Sequence, residues 1–322
     1  MAVYTEVPDD ELAAFVASYG LGALQSVKGI AEGVENTNYL IGTDKGRFVL
    51  TLYEKRVNPA DLPFFLGLME HLAKRGVTCP LPVHGQSGEV LGQLAGRPAA
   101  IVTFLEGVSV RKPQAHHCGE TGVALAQLHG AGEGFAIRRA NGLGLSGWRP
   151  LYERFAARAD EIMPGLARLI EDELAHLEAQ WPMALPQGVI HADLFPDNVF
   201  FLGDKLAGLI DFYFACNDAF AYDVAVCLNA WCFDANFAFD LERGRALLRG
   251  YEKVRPLSGA ERAALPILCR GSALRFLLTR GYDWLHTPKD ALVKPHDPND
   301  YVHRLKFHRA VKDAAEFGLE TA

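Results

Sequence analysis

No apolar run in this chain approaches the roughly 20 residues that a membrane-spanning helix needs; the longest, Ala99-Ala100-Ile101-Val102-Thr103-Phe104-Leu105, falls far short. Basic residues are not in excess either: 32 Lys and Arg stand against 39 Asp and Glu, a formal charge of -7. That balance argues against a general nucleic-acid or anionic-membrane surface and leaves room only for a local basic groove. Paired cysteines are missing as well. Cys79, Cys118, Cys216, Cys227, Cys232 and Cys269 are scattered with no Cys-x2-Cys spacing, which reads as buried free thiols in a reducing compartment rather than disulfides or a zinc site. The start, Met1-Ala2-Val3-Tyr4-Thr5-Glu6, has no basic stretch leading into an apolar core, so no secretory leader is expected and a cytoplasmic location is. Internal repeats and low-complexity segments do not occur.

What is present is a soluble-enzyme composition. With 322 residues, 49% hydrophobic and 22% charged, the chain has enough apolar surface for one large core or two joined lobes. Its character changes near residue 105. Before that point strand-like pieces dominate, at 27–30, 38–41, 47–53, 83–84, 89–91 and 98–105, with one helix at 62–75 where Phe65, Leu68, Met69 and Leu72 recur at helical spacing. After it helices prevail, at 114–130, 150–180, 219–233, 240–254, 258–284 and 300–317. The expectation is α+β: a small antiparallel sheet lobe with one packed helix over 1–105, and a larger, mainly helical lobe over 106–322. Glu106-Gly107 would be the hinge, and a cleft beside a hinge is a common place for a nucleotide.

Chemistry concentrates in His191-Ala192-Asp193-Leu194-Phe195-Pro196-Asp197-Asn198, entered from the apolar Gln187-Gly188-Val189-Ile190 and followed by Ile210-Asp211-Phe212. The segments 199–202 and 206–210 read as strands, and Gly203-Asp204-Lys205 between them as turn chemistry. Folding that hairpin about Asp204 brings Asn198 and Asp211 nearly opposite each other at its open end. Two oxygen ligands then converge, which suits a hard cation such as Mg²⁺. Asp193 lies close enough on the same loop to take a proton from an attacking hydroxyl. His191 is then a brace for the loop. Turn requirements alone do not generate His-x-Asp-x4-Asn followed by Asp at the end of a hairpin.

In the first lobe, Lys28-Gly29-Ile30-Ala31-Glu32-Gly33-Val34-Glu35-Asn36-Thr37-Asn38 reads as strand, turn, strand. Its small residues Gly29 and Gly33, with Asn36, would let backbone amides approach nucleotide phosphates.

The His191 to Asn198 segment with Ile210-Asp211-Phe212 resembles the catalytic and metal loops of the aminoglycoside phosphotransferase/choline kinase superfamily, distant relatives of protein kinases. Leu125-Ala126-Gln127-Leu128-His129 resembles that superfamily's helix leading toward the catalytic loop, with His129 packed beneath it. More narrowly, Gly33-Val34-Glu35-Asn36-Thr37-Asn38-Tyr39, Phe48-Val49-Leu50-Thr51-Leu52-Tyr53-Glu54, Ile210-Asp211-Phe212-Tyr213-Phe214-Ala215-Cys216 and Tyr222-Asp223-Val224-Ala225-Val226-Cys227-Leu228-Asn229-Ala230-Trp231-Cys232 look like the homoserine kinase branch. The resemblance covers nearly the whole chain. It implies a protein-kinase-like two-lobed fold, ATP as phosphoryl donor, Mg²⁺, L-homoserine as acceptor, and a place in threonine biosynthesis. By the same resemblance Asp193 is the base, and Asn198 and Asp211 are the metal ligands. The adenine is expected against 102–106, with backbone groups of Thr103 and Leu105 reading its edge.

One departure stands out. Such kinases carry a Lys or Arg after the Val-Leu of the third strand, and here Thr51 follows Leu50. A neutral Thr cannot supply that charge, which leaves Lys28, Lys55 and Arg56 as stand-ins and Glu70 as a partner for one of them. For the acceptor, Arg275 and Arg280 lie on an apolar helix where unpaired charge is costly. Either one of them grips the homoserine carboxylate, or they form structural ion pairs with Asp223 or Asp283. Tyr213, Asn229 and Trp231 are candidate pocket walls, although aromatic and amide residues on helices more often serve packing. Two other functions stay open at this level: a kinase of another small alcohol, of aminoglycoside or choline type, and a non-catalytic nucleotide-binding module. Adjacent His116 and His117 are expected as a solvated or cap-proximal pair.

Overall fold

The computed structural model describes residues 5–30, 36–54, 57–288 and 294–319. The chain divides into two compact units, one ending at Glu106 and the other beginning at Gly107.

The first unit is built on one antiparallel sheet. β1 (Leu24–Gly29), β2 (Thr37–Thr43), β3 (Gly46–Leu52), β4 (Leu91–Leu94) and β5 (Arg97–Thr103) form an antiparallel sheet in the order β1-β2-β3-β5-β4. Period-2 alternation sends Tyr39, Ile41, Leu50, Leu52 and Ile101 to one face, where they are buried with Leu12 and Val16 of α1 (Asp9–Ser18). That helix was not expected. It buries only Leu12 and Val16, too short a stripe for a periodic signal, and Asp9, Asp10 and Glu11 in its first turn suit the helix dipole. α2 (Leu62–Ala73) is the helix expected at 62–75, with Phe65, Leu68, Met69 and Leu72 buried. The piece at 83–84 forms no strand; its neighbour Pro82 makes a single bridge to Val102, and Pro offers no N–H to extend it.

In the second unit β6 (Val108–Ser109), β8 (Val199–Leu202) and β9 (Lys205–Leu209) form a small sheet. β7 (Gln187–Ile190) and β10 (Cys216–Ala219) form another. Around these lie α3 (Ala115–Ala131), α4 (Leu145–Glu153), α5 (Leu166–Gln180), α6 (Phe220–Trp231), α7 (Leu241–Val254), α8 (Gly259–His286) and α9 (Asn299–Ala310). The single helix expected over 150–180 is broken. α4 ends at Glu153, a 3-10 turn follows at Ala156–Glu161, and Gly165, at φ +80°, opens α5. The pieces share a helical period, and only Pro164-Gly165 signalled the interruption. α3 and α7 pack very closely because Gly119, Gly122 and Gly250 carry no Cβ: one at Gly122 would strike the Leu247 carbonyl, and one at Gly250 the Gly119 carbonyl. His117 joins the cap of α3, its Nδ1 accepting from the Gln114 N–H at 3.1 Å.

Three imidazoles are sealed in this unit, His129, His191 and His308. Burial pushes all three down, and Arg304 assists at His308, which falls to about 3. The unfolded chain takes up these protons near pH 6.5, so below that pH the unfolded state binds more protons and gains. Each group is expected to remove up to about 1.4 kcal/mol of stability per pH unit on acidification. Denaturant midpoints measured from neutrality down to about pH 5 should therefore fall. His308→Gln should flatten the slope; an unchanged acid slope in that variant would contradict the assignment.

Candidate active site

β7 delivers the chain into the segment 191–198, and the loop is held from below by one carboxylate. Asp223, fully buried on α6, accepts the His191 N–H on Oδ2 at 2.7 Å and the Ala192 N–H on Oδ1 at 2.8 Å. Ala192 sits at φ +62°, a conformation an L residue adopts only when its surroundings over-determine it. A charge-assisted bond to its own N–H does that. His129 Nε2 lies 3.1 Å from Asp223 Oδ2, and its Nδ1 lies 2.8 Å from the Tyr251 hydroxyl, which receives a bond from Arg255 at 3.1 Å. The roles follow in order: Arg255 donates to Tyr251, Tyr251 to His129 Nδ1, and the neutral His129 through Nε2–H to Asp223. His129 thus packs under the loop, as expected. Asp223 was not foreseen in this role. The signal was available, since an acid inside Tyr222-Asp223-Val224-Ala225-Val226 must find donors.

His191 braces as expected, its Nε2 3.0 Å from the Ile210 carbonyl and its ring 5.0 Å from that of Phe212. This ties the loop to the strand that leads into Asp211. The hairpin is tighter than the sequence suggested: Leu202 pairs with Lys205, so the turn is Gly203-Asp204, with Gly203 at φ +60°. Pairing continues past the strands through Ile210 N–H to Asn198 O at 3.0 Å. Asn198 thus faces Ile210, and alternation alone would turn Asp211 away from it. Asp211 itself adopts φ +62° and is exposed, so the strand alternation does not continue through it.

Asn198 donates through Nδ2 to the Asp193 carbonyl at 2.8 Å and approaches Asp193 Oδ2 at 3.5 Å. Its amide oxygen is therefore the atom left over. The other Asp193 oxygen, Oδ1, meets Arg275 NH1 of α8 at 3.3 Å. Burial raises the Asp193 carboxyl to about 6, with the Arg275 charge opposing and Asp197 adding to the rise. Leu194 is fixed through its carbonyl by the Trp231 indole N–H at 2.8 Å, and the Phe195 ring lies 4.8 Å from that of Phe276.

The candidate acceptor residues separate clearly. Trp231 and Asn229 are fully buried. Trp231 supports the loop from beneath, and Asn229 is spent on the Ala225 and Cys269 carbonyls and on His308. Neither presents a wall to a ligand, because packing took the polar atoms that a pocket would have needed. Arg280 is paired with Asp300 at 3.0 Å and lies 4.6 Å over the Tyr301 ring. That partner lies 20 positions on, in another helix, which spacing could not show. Tyr213 is half-buried, two residues beyond Asp211. Arg275 touches the expected base.

In the sheet unit, Gly29 ends β1 opposite Tyr39. Gly33, Lys55 and Arg56 lie outside the described residues. Asn36 is buried with Oδ1 accepting the Glu54 N–H at 3.2 Å. Thr103 spends both its N–H and its hydroxyl oxygen on Leu81, so its N–H does not face an adenine edge. Leu105, by contrast, makes no backbone hydrogen bond among the described residues. Thr51 faces Asn38 across the β2–β3 pair, its hydroxyl 2.7 Å from Asn38 Oδ1, so a neutral pair fills the position where a cation was expected. Lys28 is exposed, and Glu70 pairs with His84 at 2.6 Å and with Lys74 at 3.9 Å.

An antiparallel sheet unit, a helical unit and a loop-plus-hairpin bearing Asp193, Asn198 and Asp211 together define a phosphotransferase of the protein-kinase-like fold. The phosphotransferase enzyme family model matches residues 26–257. A spectinomycin phosphotransferase solved with ADP and spectinomycin shares the fold at a TM-score of 0.69 and 12% identity, over 97% of this chain and 98% of that one. A choline kinase from Cryptosporidium parvum Iowa II does so at 0.69 and 13%, over 94% of each. Much nearer are homoserine kinases of Sinorhizobium fredii and Xanthobacter autotrophicus, each 63% identical over 99% of this chain and over 98% and 99% of their own. The chain belongs to the homoserine kinase family within the phosphotransferases.

Proposed function

We propose that this chain transfers the γ-phosphoryl group of ATP to the side-chain hydroxyl of L-homoserine, with Asp193 as base. The observation that carries the mechanism is the position of Asp193: a half-buried carboxylate on a loop fixed through its backbone by Asp223, and beside the amide of Asn198. An alcohol is too weak an acid to ionise beforehand, so Asp193 orients the hydroxyl and takes its proton as the O–P bond forms. The phosphoryl group passes to that oxygen, and ADP leaves with the bonding pair. Asn198 and Asp211 fit Mg²⁺: both offer hard oxygen atoms, and the Asn198 nitrogen is already spent on Asp193 O, which leaves its oxygen as the ligand. When bound there, the ion neutralises phosphate charge. Gly29, Gly33 and Asn36 are proposed beside the phosphates, and Leu105 at the adenine edge. Among the described residues no helix is long and apolar enough to cross a membrane. A cytoplasmic place fits six buried free cysteines and the use of ATP.

The test is ADP release with L-homoserine, L-serine, choline and kanamycin as acceptors. L-homoserine is expected to give turnover at least about 100-fold above the others in kcat/KM. Preference for choline or kanamycin would replace the acceptor. Tight ATP binding with no turnover on any alcohol would replace the enzyme with a binding module.

A further inference from the structure

Arg275 is a cation in an expensive place. Its side chain is 5% exposed, its guanidinium lies 3.8 Å over the Phe276 ring and 5.2 Å over that of Phe214, and its only hydrogen bond among the described residues is the 3.3 Å contact to Asp193 Oδ1. A guanidinium carries five donors in a rigid fork. One is in use. Two fully or nearly buried hydroxyls, those of Tyr222 and Tyr301, have no hydrogen-bond partner among the described residues, and both feel the Arg275 charge. Tyr301 stacks on Phe276, the ring beneath the guanidinium, at 5.1 Å. A nearly buried cation that uses one donor on Asp193 and keeps the rest of its fork, over the ring on which Tyr301 stacks, can take a second anion.

We infer that Arg275 bridges the base and the acceptor: one nitrogen holds Asp193 Oδ1 while the rest of the fork binds the acceptor's α-carboxylate, so that the guanidinium sets the spacing between reacting hydroxyl and carboxylate. Arg275 is then the residue that makes the enzyme specific for a four-carbon hydroxy amino acid. Arg280, already paired with Asp300, has no part in it. A carboxylate seated on the fork places the hydroxyl of homoserine at Asp193; the chain of serine, one methylene shorter, does not reach. The inference rests on Asp193 being the acceptor-facing carboxylate.

The experiment measures kcat/KM for L-homoserine and for 3-aminopropan-1-ol, which is homoserine without its carboxylate, in the wild type, Arg275→Met and Arg275→Lys. The readout is the ratio of the two values, which a general loss of folded or active protein leaves untouched. In the wild type the ratio should exceed about 100. In Arg275→Met it should fall to within about 10, and Arg275→Lys, which keeps the charge and loses the fork, should lie between. KM for ATP should stay within a few-fold in both. A wild-type ratio retained in either variant would overturn the inference. Failure of the wild type to phosphorylate homoserine at all would instead overturn the proposed function.

Discussion

Replacing Asp193 with Ala is expected to lower kcat by about 10³-fold, within the 10²–10⁴ range for loss of a positioned base, while leaving KM for ATP within a few-fold. The reason is geometric. Asp193 approaches Asn198 through one oxygen and Arg275 through the other, and no other carboxylate shares its loop position: Asp197 is exposed and Asp223 is sealed beneath the backbone. The substitution also removes the only hydrogen-bond partner that the Arg275 guanidinium has among the described residues, so that cation becomes fully available to the acceptor. KM for homoserine should therefore not rise with the fall in kcat. Steady-state kinetics at saturating ATP separate the two parameters. Turnover within ten-fold of the wild type would remove Asp193 from the chemistry.

Asp223→Asn should be nearly as damaging without touching a ligand. Both oxygens of this fully buried carboxylate accept backbone N–H groups, from His191 and from Ala192, and Oδ2 faces His129 as well. Whichever way an amide is turned, its NH₂ meets a backbone N–H. One donor pair must collide or separate, and a buried donor is left unsatisfied. The expected cost is about 3 kcal/mol or more, given the 3–5 kcal/mol typical of breaking a buried charged network. It should appear as a lower denaturant midpoint together with a fall in kcat of at least about 10-fold, because Ala192 loses what holds it at φ +62°. A variant with wild-type stability and turnover would mean that the loop is held by its own hairpin.

The contrast between these two aspartates shows which features of the molecule were legible in sequence. Asp193 and Asn198 lie on one short loop, so local chemistry and turn rules were enough to bring these two together, and the antiparallel sheet and helical units followed from their two periods. Asp223 acts on the loop from another element, and an acid in an apolar helix announces a need for donors without saying where they are. The same limit hid the partner of Arg275. Its charge on an apolar helix was visible, but its contact with Asp193 spans 82 positions. Trp231 and Asn229 took the packing reading of the two that sequence left open: aromatic and amide side chains near a site look like pocket walls until packing consumes their polar atoms. Helix α1 and the break before α5 were lost because a short buried stripe and a Pro-Gly interruption barely disturb a helical period.

Phosphoryl transfer to the homoserine side-chain oxygen is the central claim, and the product tests it most directly. The ³¹P NMR spectrum of a reaction containing the enzyme, ATP, Mg²⁺ and L-homoserine should show ADP and a new phosphomonoester whose phosphorus couples to the γ-methylene protons. Its amount should equal the ADP formed. Orthophosphate as the only new species, or no consumption of ATP with homoserine present, would contradict the account.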